Sequence, residues 1–251
     1  MQKHLYILTG GSRGMGLAIA QQLLHAGHEL ICISRHANET LAAQAQKAEA
    51  SLSQWTQDLS DGASASERLG HWLQQQDPAQ WRSATLINNA GAIPPIAPLS
   101  QAHPQDLAQA LRVGLEAPMQ LCAKFLGTTE HWAMPRKVLN ISSGLGRKAM
   151  ASQAAYCAAK AGMDHFTRCL ALDEALKPNG AKVCSLAPGV IDTDMQVQLR
   201  SAKSSAFPDQ ARFAQLQEKG LLTSPEEAAR QVLAFLNRPD FGQEPTGDVR
   251  D

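Results

Sequence analysis

The sequence predicts an α/β fold: a parallel, doubly wound sheet with helices on both faces. Two observations carry this. Short apolar runs alternate with longer stretches of helical spacing from end to end. The first apolar run also empties into a glycine cluster, Gly10, Gly11, Gly14 and Gly16, where a strand must turn sharply into a helix. The chain has 251 residues, 44% of them hydrophobic, enough to bury a core without a disulfide or metal staple. No linker, repeat or low-complexity stretch divides it, so one domain over residues 1–251 is expected.

The elements follow in order. Residues 5–9 form the first buried strand. Residues 17–26 place Leu17, Ala20, Leu23 and Leu24 on one helical face, with Gly27 where a C-terminal cap belongs. Residues 29–34 read as the second strand, 40–50 as a helix and 54–57 as a short third strand. A helix over 63–76 stops at Asp77-Pro78. Residues 85–88 form the fourth strand. A loop with four prolines (Pro94, Pro95, Pro98 and Pro104) leads into a long helix ending near 126. Residues 137–141 are the fifth strand, 153–176 a long helix and 182–186 the sixth strand. Residues 188–222 look irregular apart from a short helix over 209–219, and 194–222 are expected to cover the substrate. Ser224-Pro225-Glu226-Glu227 opens a last helix with a cap and a proline at its first position. A short final strand follows Thr246-Gly247.

Composition excludes several functions. Basic and acidic residues each number 23, so net charge is zero and no field favours nucleic acid or an anionic membrane. The five cysteines (Cys32, Cys122, Cys157, Cys169 and Cys184) show neither disulfide nor metal-ligand spacing. Reduced thiols, no metal and a cytoplasmic setting are therefore expected. The N-terminal apolar run is too short for a secretory signal, and no stretch approaches the roughly eighteen apolar residues of a membrane span.

The chemistry-bearing residues begin at Thr9-Gly10-Gly11-Ser12-Arg13-Gly14-Met15-Gly16. A diphosphate needs close approach to backbone amides at a helix N-terminus, and glycines permit it. The second strand ends Ile33-Ser34-Arg35, without the acid that would accept hydrogen bonds from a ribose 2′-OH. Arg35 instead offers a forked cation suited to a 2′-phosphate, with Arg13 as a second clamp. NADP(H) is therefore the expected cofactor. Tyr156 and Lys160 lie four residues apart in a predicted helix, on one face. The ammonium, together with the positive charge of an oxidised nicotinamide, is expected to pull the phenol's pKa down toward working pH.

These stretches, with Asn88-Asn89-Ala90-Gly91, Ser143 and Pro188-Gly189, resemble the short-chain dehydrogenase/reductase family, in order and at its usual intervals across residues 5–193. The resemblance implies a Rossmann-type single-domain oxidoreductase. Ser143, Tyr156 and Lys160 would be catalytic, with Ser142 the neighbouring alternative for the serine. Gly10, Ser12, Arg13, Gly14, Met15, Gly16 and Arg35 would hold the cofactor. Asp58 and Leu59 would meet its adenine, and Asn89, Ala90 and Gly91 would pass beneath its ribose. Tyr156, Lys160, Pro188, Gly189, Val190 and Thr193 would surround the nicotinamide. A homodimer or homotetramer is implied through the long helices.

One departure stands out: Val113-Gly114-Leu115 occupies the place of the family's Val-Asn-Leu-like stretch. Glycine keeps the backbone carbonyl and tolerates a distorted helix, but it loses the side-chain amide of a proton relay. The C-terminal third resembles the sepiapterin reductase and benzil reductase branch, implying a small carbonyl substrate near Ser143, Met195, Leu199 and Asp248. A 3-oxoacyl-thioester reductase is the alternative enzyme. A non-catalytic NADP(H)-binding sensor is the alternative of another class.

Overall fold

The computed structural model describes residues 2–251. Seven strands form one parallel sheet: β1 (Lys3–Thr9), β2 (His28–Ser34), β3 (Ser51–Thr56), β4 (Trp81–Asn88), β5 (Arg136–Ile141), β6 (Lys182–Ala187) and β7 (Thr246–Asp248). Their spatial order is β3-β2-β1-β4-β5-β6-β7. The order reverses between β1 and β4, so the carboxyl ends of the central strands open into a shared crevice.

Both faces are covered, which is why the strands read as continuous apolar runs. The pleat sends Leu5 and Ile7 of β1 to one face, and Tyr6 and Leu8 to the other. The first face packs on α3 (Gly62–Gln74) and α5 (Ala117–Thr128) through Leu69, Leu121 and Phe125. The second packs on α1 (Gly14–Leu23) and α9 (Pro225–Leu236) through Ile19, Leu23, Val232 and Leu236. The remaining helices are α2 (Glu39–Lys47), α4 (Pro104–Leu111), α6 (Ala154–Ala175), α7 (Asp194–Arg200) and α8 (Gln210–Glu218).

The differences from expectation have local causes. Helix α1 ends at Leu23, and Gly27 is not a left-handed cap; its amide donates to His25 Nδ1 at 3.1 Å in the turn before β2. Strand β3 begins at Ser51, earlier than its polar sequence suggests, because as an edge strand it pairs only with β2. The long helix over 104–128 is broken by a π-turn at Arg112–Glu116. The segment after β6 is more ordered than predicted. It contains α7 as well as α8, and Leu199, Phe207 and Phe213 pack with Ile93, Ile96 and Met150 in an apolar cluster of their own.

Candidate active site

The turn from β1 to α1 is built from backbone. Gly10 and Gly14 adopt left-handed conformations, with φ of 71° and 54°. A Cβ on Gly16 would drive into the Gly10 carbonyl oxygen, so only glycine lets the turn close. Thr9 locks this turn to the end of β4: its hydroxyl accepts from the amides of Asn89 and Ala90, both at 3.0 Å. Asn89 Nδ2 returns a bond to Thr9 O at 3.0 Å. Helices α2, α3 and α9 have side-chain caps from Asn38, Asp61 and Ser224, whereas α1 has none. Its first-turn amides keep their capacity for an anion. Met15 is buried in the core, leaving only its backbone for the turn.

Beside this cradle, Arg35 is exposed immediately after β2. Asn38 ties the neighbourhood together, its Nδ2 donating to Ser12 O at 3.0 Å while its Oδ1 caps α2. Asp58 is exposed, and its carboxyl is held below the usual range by the Ser60 amide, with a smaller contribution from Arg35. Leu59 is buried in the core beneath it. Arg13 is engaged elsewhere than expected: its guanidinium meets Asp194 Oδ2 at 2.7 Å, joining the glycine turn to α7.

Ser143 begins the single helical turn Gly144–Gly146 after β5, and its hydroxyl accepts from the Leu145 amide at 3.2 Å. Neighbouring Ser142 is buried and its hydroxyl has no partner, so Ser143 is the serine facing the crevice. Tyr156 and Lys160 emerge one turn apart from α6, at 8% and 4% exposure. Lys160 Nζ lies 5.8 Å from the Tyr156 ring centre and donates to Ile141 O at 2.6 Å. Gly91 backs onto the same ammonium; a Cβ there would stand 3.9 Å from Nζ.

In the chain alone, without the charge of an oxidised nicotinamide, burial governs the tyrosine's acidity. Burial pushes the Tyr156 phenol up from its ordinary value, the Ser143 hydroxyl beside it offsets this in part, and Cys157 adds to the rise. Desolvation is the largest of these influences. Lys160 itself is pulled down to about 8 by burial, against the opposing pull of Asp164. The free site thus holds a neutral phenol ready to donate and an ammonium poised near working pH.

Gly114 sits at the centre of the π-turn, where its missing side chain lets α6 approach; a Cβ would stand 3.1 Å from that of Ala159. Pro118 supplies a cause for the break that the spacing argument did not use. It has no N–H, so the Gly114 carbonyl lacks its regular helical donor four residues on.

At the end of β6, Pro188-Gly189-Val190 turns outward with Gly189 at φ 83°. Thr193 precedes α7 and makes no side-chain cap; its methyl approaches Gly14. The site's two halves therefore meet here. Met195 and Leu199 belong to the apolar cluster of the covering segment, with Leu199 fully committed to packing. Asp248 lies on β7 opposite Ala187, and its carboxylate is taken by Arg250 at 2.5 and 2.7 Å. Asp248 ends β7 on the carboxyl edge of the sheet, the edge along which the other predicted residues gather from β1 to β6. Asn38, and the part Thr9 plays in tying the turn to β4, were missed by sequence reasoning, and no spacing signals either.

A Rossmann-type sheet with a glycine cradle and a Ser-Tyr-Lys group defines a nucleotide-dependent oxidoreductase. The sequence profile of the family described as short chain dehydrogenase matches residues 4–204, and the chain belongs to that family. It is 35% identical to a benzil reductase ((S)-benzoin forming) of Bacillus cereus, over 97% of this chain and 96% of that one. It is 32% identical to a sepiapterin reductase of Xenopus tropicalis, over 92% and 90% of the two chains. Among solved structures, a candidate 2-deoxy-d-gluconate 3-dehydrogenase from Agrobacterium tumefaciens with bound NADP superposes with a TM-score of 0.80 at 26% identity, covering 99% and 95%. The chain is thus an oxidoreductase of the benzil and sepiapterin reductase branch, acting between C=O and CH–OH. Among the described residues, no helix is long and apolar enough to cross a membrane.

Proposed function

We propose that the chain uses NADPH to reduce one carbonyl of a vicinal diketone, or a pterin-like side-chain ketone, to an alcohol. The observation that carries this reading is the convergence of Ser143, Tyr156 and Lys160 beside the glycine cradle, in a chain 35% identical to a benzil reductase. The donor set fits the cofactor. Uncapped α1 amides suit a diphosphate, and Arg35 without a neighbouring acid suits a 2′-phosphate. Arg13 would join it on leaving Asp194, and Asp58 and Leu59 border the adenine. Val190 and Thr193 would hold the carboxamide.

Bound NADPH supplies the hydride. Ser143 donates to the substrate's carbonyl oxygen and fixes its position. Tyr156, kept neutral by burial, gives its proton to that oxygen as negative charge develops there. Lys160 bonds the ribose hydroxyls and favours the resulting phenolate. Met195 walls the substrate on the side of α7, and residues 194–222 close over it. Leu172 of α6 and Leu176 just past its end, at 71% and 87% exposure, support assembly into a homodimer or homotetramer.

The test follows NADPH absorbance with benzil, aliphatic vicinal diketones, sepiapterin and an acetoacetyl thioester, with NADH as the control. Turnover of a diketone or pterin is expected, with NADPH preferred and activity falling about 10²–10⁴-fold in Tyr156→Phe. Turnover of the thioester alone, or a Tyr156→Phe variant as active as the parent, would overturn the reading.

A further inference from the structure

Helix α6 carries a third buried polar residue one turn beyond Lys160. Asp164 is 1% exposed and stands in the same stripe as Tyr156 and Lys160. Its carboxylate is paired on both oxygens. Ser185 of β6 donates its hydroxyl to Oδ1 at 2.6 Å, and Arg147 donates Nε to Oδ2 at 3.3 Å. Arg147 also donates Nη2 to Gly247 O of β7 at 2.8 Å. A buried carboxylate without such partners would be severely destabilising.

Arg147 terminates the turn that Ser143 begins. Gly146, between them, lies flat on α6: a Cβ there would stand 2.9 Å from both Asp164 Oδ2 and Lys160 O. The serine-bearing segment is therefore fastened to the helix at three successive points. Ile141 O receives Lys160 Nζ, Gly146 abuts the α6 backbone, and Arg147 meets Asp164. The same carboxylate, one helical turn on, is the negative charge that acts on the Lys160 ammonium.

We propose that Asp164, braced by Arg147, is a positioning residue that holds the Ser143 turn against α6 and provides the buried counter-charge of Lys160. It touches neither substrate nor cofactor and acts through Ser143 and Lys160. The proposal rests on the role assigned to those two residues, and it names a group outside the Ser-Tyr-Lys set on which their geometry and charge depend.

The groups around the pair give the effect its direction. On α6, Lys160 faces Tyr156 and Asp164; on β5 it meets only the Ile141 carbonyl. Asp164 faces Arg147 after β5, and Ser185 and Cys184 on β6. Cys184 stays a neutral thiol, its pKa pushed up to about 12 by burial. Asp248 on β7 feels Arg147 from the other side but is held by Arg250. Removing the charge of Asp164 leaves burial unopposed at Lys160, so the amine becomes easier to deprotonate. Removing Arg147 leaves Lys160 as the nearest cation to that carboxylate, so its charged form is favoured.

The test is an NMR titration of lysine side chains in the full chain, with the Lys160 signal assigned by its loss in Lys160→Met. The parent midpoint is expected near 8. It should fall by on the order of one pH unit in Asp164→Asn and rise in Arg147→Gln. Ser185→Ala, which removes a hydrogen bond from the same carboxylate without changing charge, should lower Tm and leave the midpoint in place. Generic loosening of the site cannot move the midpoint in opposite directions. Midpoints unchanged in both charge variants, shifted the same way, or shifted equally by Ser185→Ala would overturn the proposal. If Asp164→Asn does not fold, Arg147→Gln decides alone: a rise supports the proposal, and anything else overturns it. No substrate enters the titration, so failure of the proposed carbonyl reduction would leave this result readable on its own.

Discussion

The two ends of the parallel sheet use polar groups in opposite ways. At the amino end, many hold the protein together, although Trp81 Nε1 and Arg136 Nε stay unpartnered. His4 Nδ1 meets Ser83 Oγ at 2.7 Å, and His28 Nδ1 meets Leu23 O at 2.9 Å. Lys137 donates to Leu236 O at 2.6 Å, and Glu174 accepts the Ala181 amide at 2.7 Å. At the carboxyl end, capacity is left over. Helix α1 is uncapped, Arg35 is exposed, and Tyr156 and Lys160 are buried together in a crevice. Natural folds satisfy their buried polar groups. What distinguishes the carboxyl end is that its spare groups gather around one crevice beside the glycine turn.

The largest expected effect tests whether the carboxyl end depends on backbone approach. Gly16→Ala puts a methyl into the Gly10 carbonyl and the Asn89 amide. The β1–α1 turn must then shift, at a cost of about 1–3 kcal/mol of stability, and NADPH affinity should fall by more than the stability loss explains. Gly144→Ala, where nothing lies within 4 Å of the added carbon, is the matched control. Calorimetric titration with NADPH and thermal melts of both variants would check this. Equal affinities in the two would remove the cradle from the argument.

A smaller effect is expected at Arg35, because it is exposed and water screens its pairing. Arg35→Ser should weaken NADPH about tenfold and leave NADH unchanged, as measured by the two KM values. A parallel loss for both cofactors would mean that Arg35 does not read the 2′-phosphate.

Much of the carboxyl end was legible because its signals are local. Gly10 to Gly16, Tyr156 with Lys160, and Pro188-Gly189 each lie within a few residues of sequence, and strand alternation set their order around the sheet. What was hidden depends on distant partners. The ion pair of Arg13 with Asp194, 181 residues away, has no signal in the sequence around either residue. The direction of the Tyr156 shift needs the burial of the phenol, which no spacing reports. Helix α7 escaped notice because it is only seven residues long and lacks a side-chain cap. Strand β3 was foreshortened because a one-sided edge strand can be polar.

The amino end should respond to acid where the carboxyl end does not. His4 and His28 are both held below their ordinary value, chiefly by burial, with further lowering from His28 and Arg82 at His4 and from His25 at His28; the Leu23 carbonyl opposes this in part at His28. A histidine whose folded pKa is depressed stabilises the fold fully above its unfolded value, near 6.5. That stability is lost as pH falls through the lower folded value. Thermal melts between pH 7.5 and 5 should therefore show Tm falling by roughly a few degrees. His4→Gln and His28→Gln should each flatten the curve. An unchanged slope in both variants would move the acid sensitivity elsewhere.

The smallest effect separates two helical glycines that helix propensity alone makes equivalent. Gly127 in α5 has nothing within 4 Å of an added Cβ, whereas Gly114 in the π-turn has Ala159 Cβ at 3.1 Å. Alanine in an open helical position should stabilise by about 0.4–1 kcal/mol, by narrowing the unfolded ensemble. Gly127→Ala should therefore raise Tm by one or two degrees, about the size such a gain produces in a chain of this length. At Gly114 the same gain is opposed by crowding against Ala159, the residue immediately before Lys160. Gly114→Ala should leave Tm level or lower it, and its effect should extend to the site: displacing Ala159 moves Lys160, so turnover should fall several-fold while Gly127→Ala turns over like the parent. If Gly114→Ala stabilised as Gly127→Ala does and kept full turnover, the glycine would be a tolerated vacancy in the helix. If it lost turnover without losing Tm, the close approach of the π-turn to α6 would be a requirement of the carboxyl end alone.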